Sequence, residues 1–166
     1  MLLSHTAQRE GELLTFLRGE LALSSGLVKR LKWQNAFFLD GAPVHTNARV
    51  KPGQEITVRI EEAPEGFLPQ ALPIDILYED AYMIALDKPA GQLVHPSPRK
   101  NEGTLANALL GYYERTDQPC GIHPVTRLDR DTFGVVLLAK NAHIHAKLCQ
   151  LMKDGAIHKT YLASVF

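Results

Sequence analysis

Little in this 166-residue chain announces a partner or a compartment. It has two cysteines, Cys120 and Cys149. Their separation fits neither a metal-ligand nor a redox motif, so both read as free thiols in a reducing cytosol. Lysine plus arginine balances aspartate plus glutamate at 18 each. That excludes a global basic field, and any nucleic-acid surface has to be local. No apolar stretch is long enough to cross a bilayer, and the start lacks the pattern of a signal peptide. There is one tryptophan, Trp33. What remains has the composition of a soluble globular protein, for which a cytoplasmic location is expected. The length suits one substantial core, or a small domain beside part of a larger one.

The first sixty residues read as a unit. Leu13, Leu14, Leu17 and Leu21 recur at helical spacing. Ser24 is placed to cap a second helix with Leu27, Val28 and Leu31 on its apolar face and Lys29, Arg30 and Lys32 on the other. A short strand over 36–39, an Asp40-Gly41 hairpin turn, a Pro52-Gly53 turn and an alternating strand over 54–60 follow. Between Ser24 and Arg59 stand six basic residues, Lys29, Arg30, Lys32, Arg49, Lys51 and Arg59, against the acidic Asp40 and Glu55. A basic helix face beside a hairpin suits phosphate contacts, and Trp33 would add a stacking surface. The alternative is a solvated helix face with Trp33 in the core.

From Glu61 to Pro73 the composition shifts, with Pro64, Gly66, Pro69 and Pro73 beside three glutamates, and residues 63–73 read as a linker. Beyond it, strands are predicted over 74–78, 83–86 and 93–95, with Asp87-Lys88-Pro89-Ala90-Gly91 as a turn between the last two. Thr104 caps a helix carrying Leu105, Ala108, Leu109, Tyr112 and Tyr113. Asn141 caps another with Ile144, Leu148, Leu151 and Met152 inward, closed by Gly155. A last strand is predicted from Lys159 to Phe166.

The stretch from His123 to Gly134 organises this half. It sets Asp129 and Asp131 among Arg127 and Arg130 and runs straight into an apolar strand over 135–139. A loop ending on a buried strand is held rigidly, so a reactive group there can be aimed. Arginine beside a carboxylate favours its ionised form, and an ionised aspartate is a usable nucleophile or base. A solvated salt-bridge loop is the plain alternative. Lys88 either holds its turn or touches RNA; His95 reads as a structural hydrogen-bonder.

Two resemblances give these patterns a function. Residues 10–60, in the order helix, basic helix, hairpin, Val50-Lys51-Pro52-Gly53-Gln54 and strand, resemble the alpha-L RNA-binding domain of a ribosomal small-subunit protein. Ser25-Gly26 stands where such domains often have Ser-Arg. Asp75-Ile76-Leu77-Tyr78-Glu79-Asp80, Asp87-Lys88-Pro89-Ala90-Gly91, Leu93-Val94-His95-Pro96, Arg127-Leu128-Asp129, Ala139-Lys140 and Lys159-Thr160-Tyr161 together resemble the RluA-type family of pseudouridine synthases. The resemblance implies an α+β chain with three parts: an alpha-L-like RNA-binding domain over 1–62, a linker over 63–73, and, over 74–166, the first part of a mixed, largely antiparallel-sheet catalytic domain. It also implies isomerisation of uridine to pseudouridine in rRNA or tRNA, without metal or organic cofactor. Asp129 would be the nucleophile, Tyr161 would stack on the base, and Arg127 would fill the place of a base drawn from its helix. Lys29, Arg30, Lys32 and Lys51 would bind RNA. Thr126 and Phe133 depart from the family's usual His and Ser. The family's later arginine-bearing segments have no counterpart here, so the chain reads as an N-terminal fragment. As such it is expected to be inactive alone and to self-associate through an open C-terminal strand edge.

Asp129-Arg130-Asp131 also resembles the Asp-x-Asp loop of magnesium-dependent haloacid dehalogenase-type phosphohydrolases. There the pair follows an apolar strand, whereas here it precedes one. A non-catalytic RNA-binding protein on the same scaffold is the remaining alternative.

Overall fold

The computed structural model describes residues 1–62 and 65–164. The chain divides into two compact units, Met1–Ala63 and Pro64–Phe166.

In the first unit, β1 (Leu2–Thr6), β2 (Gly11–Glu12), α1 (Leu13–Arg18), α2 (Ser25–Trp33), β3 (Phe37–Leu39), β4 (Ala42–Pro43), β5 (Arg49–Val50) and β6 (Glu55–Arg59) follow one another. A four-stranded sheet has the order β1-β6-β3-β4, and β2 pairs with β5; all pairs are antiparallel. Alternation along β6 buries Ile56 and Val58, and Phe16, Leu17, Leu27, Val28 and Leu31 of the two helices are buried as well. Ser24 caps α2 as predicted, its hydroxyl accepting from the Leu27 amide at 3.2 Å. The start of α1 has no side-chain cap; the Leu13 and Leu14 amides donate instead to the carbonyls of Ala48 and Thr46. Strands β1 and β2 went unanticipated. β1 owes its place to a long-range ladder in which Leu2 faces Arg59 and Thr6 faces Glu55.

The second unit contains β7 (Asp75–Glu79), β8 (Met83–Lys88), α3 (Leu105–Arg115), β9 (His123–Pro124), β10 (Gly134–Ala139) and α4 (Ala142–Lys153). Its antiparallel sheet has the order β7-β8-β10-β9. One face of the sheet, with Ile84, Leu86, Val136 and Leu138, packs on Leu105, Ala106, Leu109 and Tyr113 of α3. Thr104 and Asn107 close a reciprocal capping box at the start of α3.

Residues 65–73 lack regular structure, as their prolines dictate, and are tied to α3. The Asn107 side-chain amide donates to the Leu68 carbonyl at 2.8 Å, and the Gln70 amide donates to the Asn107 carbonyl at 3.0 Å. This explains a glycine in mid-helix, where alanine would be favoured. A Cβ on Gly111 would overlap the Gln70 carbonyl.

Three expectations are corrected. Residues 93–95 are not a strand, because the Leu93 and Val94 carbonyls accept from the Leu105 and Ala106 amides and so cap α3. The strand predicted from Lys159 is absent over 159–164, which find no partner for a ladder; residues 165 and 166 lie outside the described residues. The edge expected to drive self-association is therefore not formed there. Helix α4 buries only His143 fully, and Leu151 remains 44% exposed, because α4 contributes nothing to the core under α3.

Candidate active site

The segment between β9 and β10 is anchored at both ends, and Asp129 lies between the anchors. On the first side, the Val125 and Thr126 amides donate to the Leu137 carbonyl at 2.8 and 3.2 Å. The Thr126 hydroxyl accepts from the Leu137 amide at 2.9 Å. Thr126 thus pins the loop to β10. Leu128 is half-buried against the core, and its neighbours Arg127 and Asp129 are left exposed.

On the second side, the Thr132 amide donates to the Asp129 carbonyl at 3.2 Å. The next carbonyl, that of Arg130, accepts from the Gly91 amide at 2.8 Å, and Arg130 Nε donates back to the Gly91 carbonyl at 3.2 Å. Gly91 has φ of +82°, a backbone conformation an L-residue resists. Beneath this exchange sits Lys88, wholly buried. Its Nζ donates to the carbonyls of Pro89 at 2.9 Å, Gln92 at 2.8 Å and Arg130 at 3.0 Å. An ammonium has three donors, and all three are used. Burial pushes its pKa down, and the Asp131 carboxylate acts in the opposite direction. Lys88 therefore ties the Lys-Pro turn to the Asp129 loop. Alternation foretells this: with Ile84 and Leu86 inward on β8, residue 88 falls on the same face.

Around these anchors the charges are mostly solvated. Asp131 lies 4.0 Å from Arg130, both exposed, a surface pair of small energetic consequence. A cleft of about 500 Å³ lined by Asp75, Asp87, Lys88, Pro89 and Phe133 runs beside the Lys-Pro turn. His95 contacts the Pro96 carbonyl at 3.3 Å and meets the Phe67 ring edge-on, a structural role.

Tyr161 is 59% exposed on the irregular stretch after α4. No hydrogen bond joins it to Asp129 among the described residues. In the first unit, Lys29 and Lys32 are exposed on α2, and Lys51 is exposed on the turn between β5 and β6. Arg30 is drawn partly inward, 3.7 Å from Glu62. No group of three or more His, Cys, Asp or Glu side chains among the described residues is placed to hold a metal ion. No helix among them is long and apolar enough to cross a membrane.

The loop thus holds an exposed carboxylate, Asp129, between two anchors at one end of an antiparallel sheet. Residues 82–166 match the sequence pattern of the RNA pseudouridylate synthases. This chain belongs to the RNA pseudouridylate synthase family. It is 33% identical over 150 residues to an uncharacterised RNA pseudouridine synthase, YjbO, of Bacillus subtilis, covering 89% of this chain and 53% of that protein. Ribosomal large subunit pseudouridine synthase D of Pseudomonas aeruginosa is 34% identical over 128 residues, 76% of this chain and 40% of its own length. The chain thus spans about half the length of the curated relatives it matches. Human RNA pseudouridylate synthase domain containing 4 gives a TM-score of 0.39 at 23% identity, over 48% of this chain and 30% of that one.

Proposed function

We propose that Asp129 is the nucleophile of a uridine-to-pseudouridine isomerisation in structured RNA. The observation that carries this is the anchoring of an exposed Asp129, by Thr126 on one side and by Lys88 and Gly91 on the other, within the family-matching stretch. In the reaction, the bond from ribose to the ring nitrogen breaks with Asp129 acting on the ribosyl part. The detached uracil turns, a carbon–carbon bond forms, the junction carbon loses its proton, and the freed ring nitrogen takes one up. Tyr161 would stack on the base and assist that proton loss. Arg127, exposed two residues away, would fill the gap left by the extruded base. Unstacking that base costs energy that contacts elsewhere on the RNA must offset.

Those contacts we assign to residues 1–62, an alpha-L-like RNA-binding domain acting through Lys29, Lys32 and Lys51, with Arg30 secondary because Glu62 engages it. The name of the Pseudomonas relative favours rRNA over tRNA and, with it, a cytoplasmic location.

The test is pseudouridine formation by the protein on uridine-labelled rRNA and tRNA, read by tritium release. Asp129→Asn should abolish turnover and leave RNA affinity nearly intact, because the amide keeps the shape and loses the nucleophilicity. Asp131→Asn should be far milder. The reverse order would remove Asp129 from the role. RNA binding with no isomerisation under any condition would favour the non-catalytic reading.

A further inference from the structure

Trp33 is 82% exposed, an unusual state for the residue type with the largest apolar surface. It occupies the last turn of α2, whose inner face is already filled by Leu27, Val28 and Leu31. Nothing in the packing of the helix calls for an indole on the outside. Residues three and four apart on a helix are neighbours, so Lys29 adjoins both Lys32 and Trp33 on one stripe. Both lysines are exposed and join no salt bridge among the described residues. At the stripe's upstream end, Gly26 offers no side chain, and a Cβ there would meet nothing within 4 Å. The patch is thus an uncrowded flat ring beside two exposed cations. Such a pairing matches a nucleotide, with a base face for the ring and phosphates for the ammonium groups. A base inside a duplex keeps its faces stacked on its neighbours, so the ring selects an unpaired one.

We propose that Lys29, Lys32 and Trp33 form a binding site for an unpaired nucleotide of RNA, with Trp33 as the base-stacking platform. This rests on the RNA-binding reading of residues 1–62 and adds to it both a residue and a substrate feature, single-strandedness.

Because Trp33 is the only tryptophan, its fluorescence reports this site alone. The 166-residue chain is titrated with a short uridine-rich single strand and with a blunt duplex of equal length, while the anisotropy of labelled RNA measures binding independently. Expected are quenching of Trp33 emission and protection from iodide by the single strand, with a weaker response to the duplex. Trp33→Ala, at a surface position where folding is not at risk, should weaken single-strand affinity by roughly 5- to 150-fold with an unchanged salt slope. Lys29→Ala and Lys32→Ala should each lower that slope by about 0.7. RNA binding with Trp33 emission and iodide access unaltered would overturn the stacking site and leave the RNA-binding reading standing. Absence of RNA binding by anisotropy would overturn both. Emission that changes with protein concentration alone would make the stripe a protein–protein contact and overturn the proposal.

Discussion

Two lysines are buried at opposite ends of the β8–β10 ladder, and they are satisfied in different ways. Lys88 pairs in register with Gly134, while Lys140 follows Ala139, which pairs with Met83. The two ends lie roughly 17 Å apart at the usual rise per residue. Lys140 meets a carboxylate, Glu79 Oε1 at 2.7 Å, and also the Gln118 side-chain oxygen at 2.8 Å. Tyr112 donates to the other Glu79 oxygen at 2.7 Å. Lys88 meets three neutral carbonyls and no carboxylate. At one end the charge is cancelled and the cluster fastens β7 to α3 and β10. At the other the ammonium is held by three carbonyl dipoles under the loop that carries Asp129, with burial lowering its pKa and the Asp131 carboxylate opposing that. The first arrangement serves the fold; the second holds the site.

Breaking the ion pair should have the largest effect on stability. Lys140→Met strands Glu79 and is expected to cost about 3 kcal/mol, at the low end for such pairs because Glu79 keeps 19% of its side-chain surface. Denaturant unfolding measures this, and exchange of the Gly91 and Thr132 amides should follow global unfolding. A loss under about 1 kcal/mol would mean that Lys140 is not held as described.

Gly111→Ala provides a control that touches neither lysine. Its added methyl meets the Gln70 backbone, and overpacking of this kind costs about 1–3 kcal/mol. The loss should appear in the same denaturant transition, with the Asp129 loop no more open than that loss explains.

Lys88→Met should cost less globally, about 1–2 kcal/mol, since removing the buried charge relieves part of the penalty of three unpaired carbonyls. Its signature is local: the Gly91 and Thr132 amides should exchange well before global unfolding. Loop exchange indistinguishable from that of Lys140→Met would erase the contrast between the two ends.

The smallest effect is on acid stability. Burial would raise the pKa of Glu79, but hydrogen bonds from Lys140, Tyr112 and Gln118 outweigh it, and the carboxyl lies below its ordinary 4.5. The unfolded chain therefore binds the proton first. Stability from this group is complete above pH 4.5 and is lost as pH falls through the lowered folded pKa. Glu79→Gln should flatten that part of the stability profile, and an unchanged slope below pH 4.5 would contradict the pairing.

Elements set by near neighbours were legible in the sequence. Ser24, Thr104 and Asn141 each cap a helix because a side-chain oxygen reaches an amide three residues on. Asp40-Gly41 turns the chain at the predicted place, β6 and β10 follow their alternating or apolar patterns, and Asp129 stands on an exposed loop. Even the burial of Lys88 was implicit in the spacing from Ile84 and Leu86. Tertiary structure alone decided what depends on a distant partner. β1 exists because β6 offers it an edge, while residues 159–164 alternate just as well and find none. Leu93 and Val94 have the composition of a strand, but their carbonyls serve the first amides of α3. Trp33 could have been core or surface on composition, and the filling of the inner face of α2 by three smaller residues put it outside. Thr126 and the carbonyls around Lys88 became anchors only when β8 and β10 paired. Periodicity and capping act within a few residues and so can be read along the chain, whereas a ladder partner, a buried ammonium's acceptors and an exposed ring are fixed by which surfaces meet.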